Sequence, residues 1–196
     1  MELRPLMSDA AEAAIKAMNA VERARLDGPT PCTEYDLREL VDHFAYLTGR
    51  RAECAARKEP IEGGTGDPPE DQRVTRRPGW IGEYAAQARK TADAWTDPAA
   101  WEGKTSLTGT GEMPANFVGG ILYVEFLLHG WDVAKSVGAE FELADEPARA
   151  LYEQIAMIAE QARQYKVLGP EVEVPESASM LDRALGLAGR DPSWGP

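Results

Sequence analysis

The chain has 196 residues and a formal charge of −12, from 21 Lys and Arg against 33 Asp and Glu. That length suits a single domain with a real buried core. The acidic balance argues against nucleic-acid or anionic-membrane partners, because the basic pairs Arg50-Arg51 and Arg76-Arg77 are isolated in acidic surroundings. Cys32 and Cys54 form no disulfide framework, which fits a reducing compartment. The N-terminus lacks the apolar core of a signal peptide, and no apolar run approaches a membrane span in length. The expectation is a soluble cytoplasmic protein whose partners are small molecules.

In chain order, an Ala-rich stretch with Ile15, Met18, Val21 and Leu26 at helical spacing predicts a first helix from about Met7 to Leu26, with Ser8 as its N-cap. Asp27-Gly28-Pro29-Thr30-Pro31-Cys32 breaks it, since the flanking prolines cannot continue a helix. A second helix is predicted from Glu34 or Asp36 to about Arg57, with Leu37, Leu40, Val41 and Phe44 as its apolar stripe and His43 on the stripe's flank. Asp36 and Asp42 read as solvent-exposed. Residues 59–79, rich in glycine and proline, read as a mobile surface loop that serves as a linker or as a lid.

A third helix is expected from about Trp80 to Trp95, ended or re-initiated at Asp97-Pro98. Residues 101–111 have short extended character. The most apolar helix runs from about Pro114 to Val137 with Gly138 as its stop, and a fifth from Glu146 to about Gln164 buries Leu151, Ile155, Ile158 and Ala162. The tail, residues 167–196, is expected to lie over the bundle, with a short turn of helix around Met180 to Leu187. The most economical assembly is an all-α four-helix bundle with an additional helix and an irregular tail, forming one domain over residues 1–196.

The chemistry concentrates in the apolar fourth helix, where Val118, Ile121, Leu122, Glu125, His129 and Asp132 project to one side. A carboxylate and an imidazole four residues apart can point at one atom, the spacing of a metal-ligand pair; the same two groups can also simply satisfy each other. The chain has two histidines. If the second and fourth helices pack side by side, His43, Glu125 and His129 converge as three protein ligands. Three ligands leave a position open, as in a catalytic rather than a structural zinc site. Asp132 reads either as the acceptor for a ligand imidazole or as an ordinary helix-surface carboxylate. Trp131 is expected to pack between helices. Cys32 reads as a packed small side chain, with no third histidine to activate it, and Cys54, roughly 16 Å beyond His43 along a continuous helix, is a poor fourth ligand.

Three blocks carry a family resemblance: Pro29-Thr30-Pro31-Cys32 with Tyr35-Asp36-Leu37-Arg38-Glu39-Leu40-Val41-Asp42-His43, then Glu125-Phe126-Leu127-Leu128-His129-Gly130-Trp131-Asp132-Val133-Ala134, then Asp182 to Trp194. Together they resemble the actinobacterial DinB-like metal-binding proteins related to the N-terminal domain of mycothiol-dependent maleylpyruvate isomerase. The resemblance implies a DinB-like bundle with a divalent metal, usually zinc with Ni2+ or Fe2+ as alternatives, held at His43, Glu125 and His129. It also implies a low-molecular-weight thiol such as mycothiol or bacillithiol as co-substrate, since family members of known activity are thiol transferases or isomerases. Two departures stand out: Tyr35 where a Trp is common, and the absence of the separate C-terminal domain of the isomerase, which puts isomerase activity in doubt.

The favoured reading is therefore a zinc-dependent thiol S-transferase or thiol-assisted isomerase acting on a small electrophile, as a monomer or homodimer. The second is a non-catalytic metal or small-molecule binding protein of a stress or resistance type. The third is a non-haem Fe(II) enzyme, because two His and one carboxylate also make that facial triad.

Overall fold

The computed structural model describes residues 2–21, 26–61 and 67–196. Among them are seven α-helices: α1 Met7–Asn19, α2 Leu37–Thr48, α3 Arg50–Arg57, α4 Trp80–Thr96, α5 Ala115–Ser136, α6 Asp145–Gln164 and α7 Met180–Leu187. A two-residue antiparallel ribbon joins β1 Lys104–Thr105 to β2 Met113–Pro114, pairing Lys104 with Pro114 and Thr105 with Met113. Helix α1 packs on α4 and α5, α2 on α5, and α3 on α4, which makes a four-helix bundle with α2 and α3 together as one member; α6 lies on α5 and carries α7.

Helix α5 is the axis. Among its 22 residues the consecutive Phe126, Leu127, Leu128 and His129, which point in four different directions, are all buried, so it is enclosed by the other helices rather than amphipathic. By length and composition α5 is apolar enough to cross a membrane, contrary to the sequence expectation, but 83% of its apolar window is buried inside the bundle. Such burial is the ordinary environment of a core helix.

Several boundaries differ from the sequence reading. A 3-10 turn over Arg4–Leu6 leads directly into α1, so Leu6 rather than Ser8 stands at the N-cap and no side chain caps it. Helix α1 ends at Asn19; residues 22–25 of the expected helix lie outside the described residues. The second predicted helix is two, parted at Gly49, whose ψ of −132° breaks the helical path. The Gly49 carbonyl, which accepts from Glu53 N of α3 at 3.2 Å, also accepts from Thr91 Oγ1 of α4 at 2.9 Å, so the break is tied to the neighbouring helix. Of the expected loop 59–79, residues 62–66 lie outside the described residues, but the rest contains two 3-10 turns, Glu70–Gln72 and Val74–Arg76.

Asp42 corrects the expectation of exposure. It is 2% exposed, and its carboxylate accepts from the Thr75 amide and the Thr75 hydroxyl, both at 2.9 Å. A buried carboxylate needs such donors to replace water, and here they pin the 70–77 region onto α2. Asp36, by contrast, is exposed as expected.

Candidate metal centre

Two local structures set the site. Asp36 caps α2 through a full capping box, Glu39 N donating to Asp36 Oδ1 at 2.8 Å and Asp36 N to Glu39 Oε2 at 3.1 Å, which fixes the start of the helix and hence the direction of His43. Ahead of it, the buried Thr30 hydroxyl lies 2.7 Å from the Cys32 carbonyl and 2.9 Å from the Tyr35 carbonyl. That turn holds Cys32 and Tyr35 against the end of the bundle where α2 faces α5.

There His43, Glu125 and His129 converge: one ligand atom from each lies within 4.8 Å of the others. The two imidazoles meet edge to face with centroids 5.4 Å apart. Each ring has a carboxylate on its Nδ1, Asp67 Oδ1 at 3.0 Å from His43 and Asp132 Oδ2 at 2.9 Å from His129. With Nδ1–H donating to a carboxylate, Nε2 is the nitrogen of each ring that keeps a lone pair. Nε2 of His129 stands 3.5 Å from Glu125 Oε2, and that buried oxygen has no hydrogen-bond partner among the described residues. Two bare imidazole nitrogens beside an orphaned carboxylate oxygen are a donor set that suits a divalent ion, and imidazoles backed by carboxylates are the usual outer shell of such sites. The triad is not sealed, with side chains 14%, 18% and 11% exposed for His43, Glu125 and His129. Half-exposed Asp67 and partly buried Tyr35 stand at its rim.

Tyr35, Asp67 and Arg190 escaped the sequence reading as members of the site. Tyr35 donates its hydroxyl to Asp67 Oδ1 at 2.9 Å and lies 3.1 Å from His43 Nδ1; burial first, then Asp67, pushes its pKa up, so it stays a neutral donor. Asp67 comes from the stretch read as linker or lid. Arg190 grips Asp132 with Nε at 3.2 Å from Oδ1 and Nη2 at 2.9 Å from Oδ2. Burial opposes ionisation of Asp132, but the Arg190 charge and the hydrogen bonds from His129 and Arg190 hold its carboxyl below the usual range.

Cys32, read as a packed side chain, is buried as expected but stands beside the site: its sulfur, a His129 nitrogen and an Asp132 oxygen lie within 4.8 Å of one another. This second cluster suits an ion less well than the first, because Asp132 is already taken up by Arg190 and His129. Burial pushes the Cys32 thiol up to about 11, against the pull of Arg190. Cys32 and Arg190 also line a cavity of about 620 Å³ against residues 166–170. Cys54 belongs elsewhere, 3.7 Å from Glu59 and on a different cavity. Trp131 is buried, with the Lys135 ammonium 5.8 Å from its ring centroid.

The model of the mycothiol maleylpyruvate isomerase N-terminal domain matches residues 7–134, a span that includes all three converging side chains. The chain belongs to that family. Two relatives from Mycobacterium tuberculosis, the uncharacterized proteins Rv0738 of strain H37Rv and MT0763 of strain CDC 1551, are each 28% identical over 190 residues, covering 95% of this chain and 97% of theirs. The crystal structure of the mycothiol-dependent maleylpyruvate isomerase has the same fold, with a TM-score of 0.64 at 16% identity, over 98% of this chain and 91% of that one.

Proposed function

We propose that this protein is a divalent-metal-dependent thiol S-transferase or thiol-assisted isomerase, taking a low-molecular-weight thiol such as mycothiol and a small electrophile. The observation that carries the reading is the orphaned Glu125 Oε2 beside Nε2 of His129, with His43 completing the set. His43, Glu125 and His129 would hold the ion, zinc being the first choice for two imidazoles and a carboxylate. A free thiol has a pKa of roughly 8.5, and a dication at this position would favour its thiolate at neutral pH.

The protein's own groups have distinct tasks. Asp67 and Asp132 hold the two Nδ1–H groups and thereby aim the rings. Glu125 would bring negative charge to the ion, which would preserve the nucleophilicity of a thiolate bound there. Tyr35 keeps a neutral hydroxyl at the rim. The chain's own nearby thiol is unsuited to attack, since Cys32 is buried and its pKa is pushed up to about 11. The reacting sulfur therefore comes from a second molecule, which the partial exposure of the triad allows.

A second reading, a non-catalytic metal-binding protein, draws on the same cysteine: a resident sulfur within 4.8 Å of a His129 nitrogen would close the open position as in a structural site. One experiment separates the two. In cobalt-substituted protein kept anaerobic, the catalytic reading expects a sulfur-to-cobalt charge-transfer band that appears on adding mycothiol or bacillithiol and is lost in His129→Ala. A band present without added thiol and lost in Cys32→Ser supports the binding protein. An unchanged spectrum at saturating thiol overturns the thiol-transfer reading. Turnover with epoxides, halides and activated alkenes would then define the electrophile.

A further inference from the structure

We propose that Arg190, which follows α7, is a positioning residue for His129: it clamps Asp132 so that Asp132 holds the Nδ1–H of His129 and Nε2 is turned toward Glu125. The inference rests on the metal reading for its use, but not for its geometry. Asp132 Oδ2 is shared, 2.9 Å from His129 Nδ1 and 2.9 Å from Arg190 Nη2, while Oδ1 takes Arg190 Nε at 3.2 Å. The two-pronged guanidinium thus fixes the plane of the carboxylate, and that plane decides where Oδ2 stands for the imidazole. All three groups are enclosed, with side chains 0%, 7% and 11% exposed for Asp132, Arg190 and His129.

Arg190 is itself held from several sides. Its amide donates to the Leu185 carbonyl at 2.9 Å, closing the end of α7. The preceding Gly189 has φ +79°, and a Cβ there would meet the Pro170 carbonyl oxygen at 2.8 Å, so this close passage requires glycine. Arg163 of α6 donates to the Gly169 carbonyl at 3.2 Å and also to the Leu187 carbonyl, tying the same corner together. The α6–α7 unit, which stands outside the four-helix bundle, thereby reaches a site built on α2 and α5 through one side chain 58 positions beyond Asp132.

A purely structural ion pair would have the same distances, so the test reads orientation rather than stability. Full-length wild type, Arg190→Lys and Arg190→Gln are labelled with 15N-histidine. The tautomer of His129 is read by NMR in metal-free protein, with His43 on Asp67 as the internal reference. Zinc affinity is measured by competition with a chromophoric chelator, and thermal unfolding is followed alongside. Lys keeps the charge but loses the fork. The expected result for Arg190→Lys is a shift of His129 from the Nδ1–H tautomer toward Nε2–H. Its zinc affinity should weaken about 10–100-fold, the usual effect of removing an outer-shell partner, and His43 should be unchanged. A folded Arg190→Lys with wild-type tautomer and zinc affinity overturns the proposal, whatever its unfolding temperature, and it decides alone if Arg190→Gln does not fold. Failure of the metal reading looks different: wild type takes up no zinc, while the tautomer shift in Arg190→Lys still stands.

Discussion

Oε2 of Glu125 lies 3.5 Å from Nε2 of His129, buried and without a hydrogen-bond partner among the described residues. An unsatisfied buried acceptor costs about 1–3 kcal/mol, a cost that a bound cation removes. His43→Ala, Glu125→Ala and His129→Ala should each lose most bound metal while remaining folded, because two remaining ligands do not define a tight site. Metal analysis and circular dichroism check this, and stoichiometric metal in all three variants would exclude the triad. Metal-free Glu125→Ala should unfold at or above the temperature of metal-free wild type.

Asp42→Ala should loosen the segment that brings Asp67 to His43. The substitution leaves the Thr75 amide and hydroxyl without their buried acceptor, for which a loss of roughly 1–3 kcal/mol is expected. The urea midpoint should fall, and amide exchange over residues 67–79 should accelerate more than in α4 or α5. Equal acceleration everywhere would mean that Asp42 supports the whole bundle rather than this segment.

Gly119→Ala tests the packing of α5 away from the metal centre. A Cβ at position 119 would stand 2.5 Å from the Trp101 ring and 2.8 Å from the Trp95 ring, two indoles already packed at 5.2 Å between centroids. Neither ring has room to yield, because Trp95 is fully buried and donates Nε1–H to Ala52, and Trp101 donates to the Trp95 carbonyl. A destabilisation of about 1–3 kcal/mol is expected, with a change in tryptophan fluorescence and unaltered metal stoichiometry. Wild-type stability would show that α5 can shift to admit a methyl group.

Asp132 should contribute to acid sensitivity. Despite the opposing effect of burial, the Arg190 charge and the hydrogen bonds from His129 and Arg190 depress its pKa in the folded protein. Stabilisation from a depressed carboxylate is complete above its unfolded value of about 3.9 and is lost as the pH falls through the folded value. Urea midpoints measured downward from pH 7 should therefore drop below about pH 4 in metal-free wild type. Asp132→Asn should be weaker at neutral pH and should lack that part of the acid slope. Parallel curves for the two proteins would remove Asp132 from the account.

Local pattern alone determined a large part of this protein. The apolar run around Glu125 and His129 makes a buried helix, and the four-residue spacing puts both groups on one side of it. The break at Pro29 to Cys32 placed the start of α2 at Glu34 or Asp36, and the capping box of Asp36 with Glu39 decides for Asp36 and thus for the phase of His43. The fifth helix and the short α7 were equally legible from their apolar spacing. The tertiary structure alone decided what surrounds the triad. Asp67 reaches His43 across 24 positions, Arg190 reaches Asp132 across 58, and Cys32 meets the cluster from a separate turn. None of these pairs has a spacing that a helix or turn would signal. Asp42 was misread for the same reason: a carboxylate on the edge of an apolar stripe is normally solvated. Its burial depends on Thr75, a donor supplied by a segment whose path is set by packing rather than by its own composition.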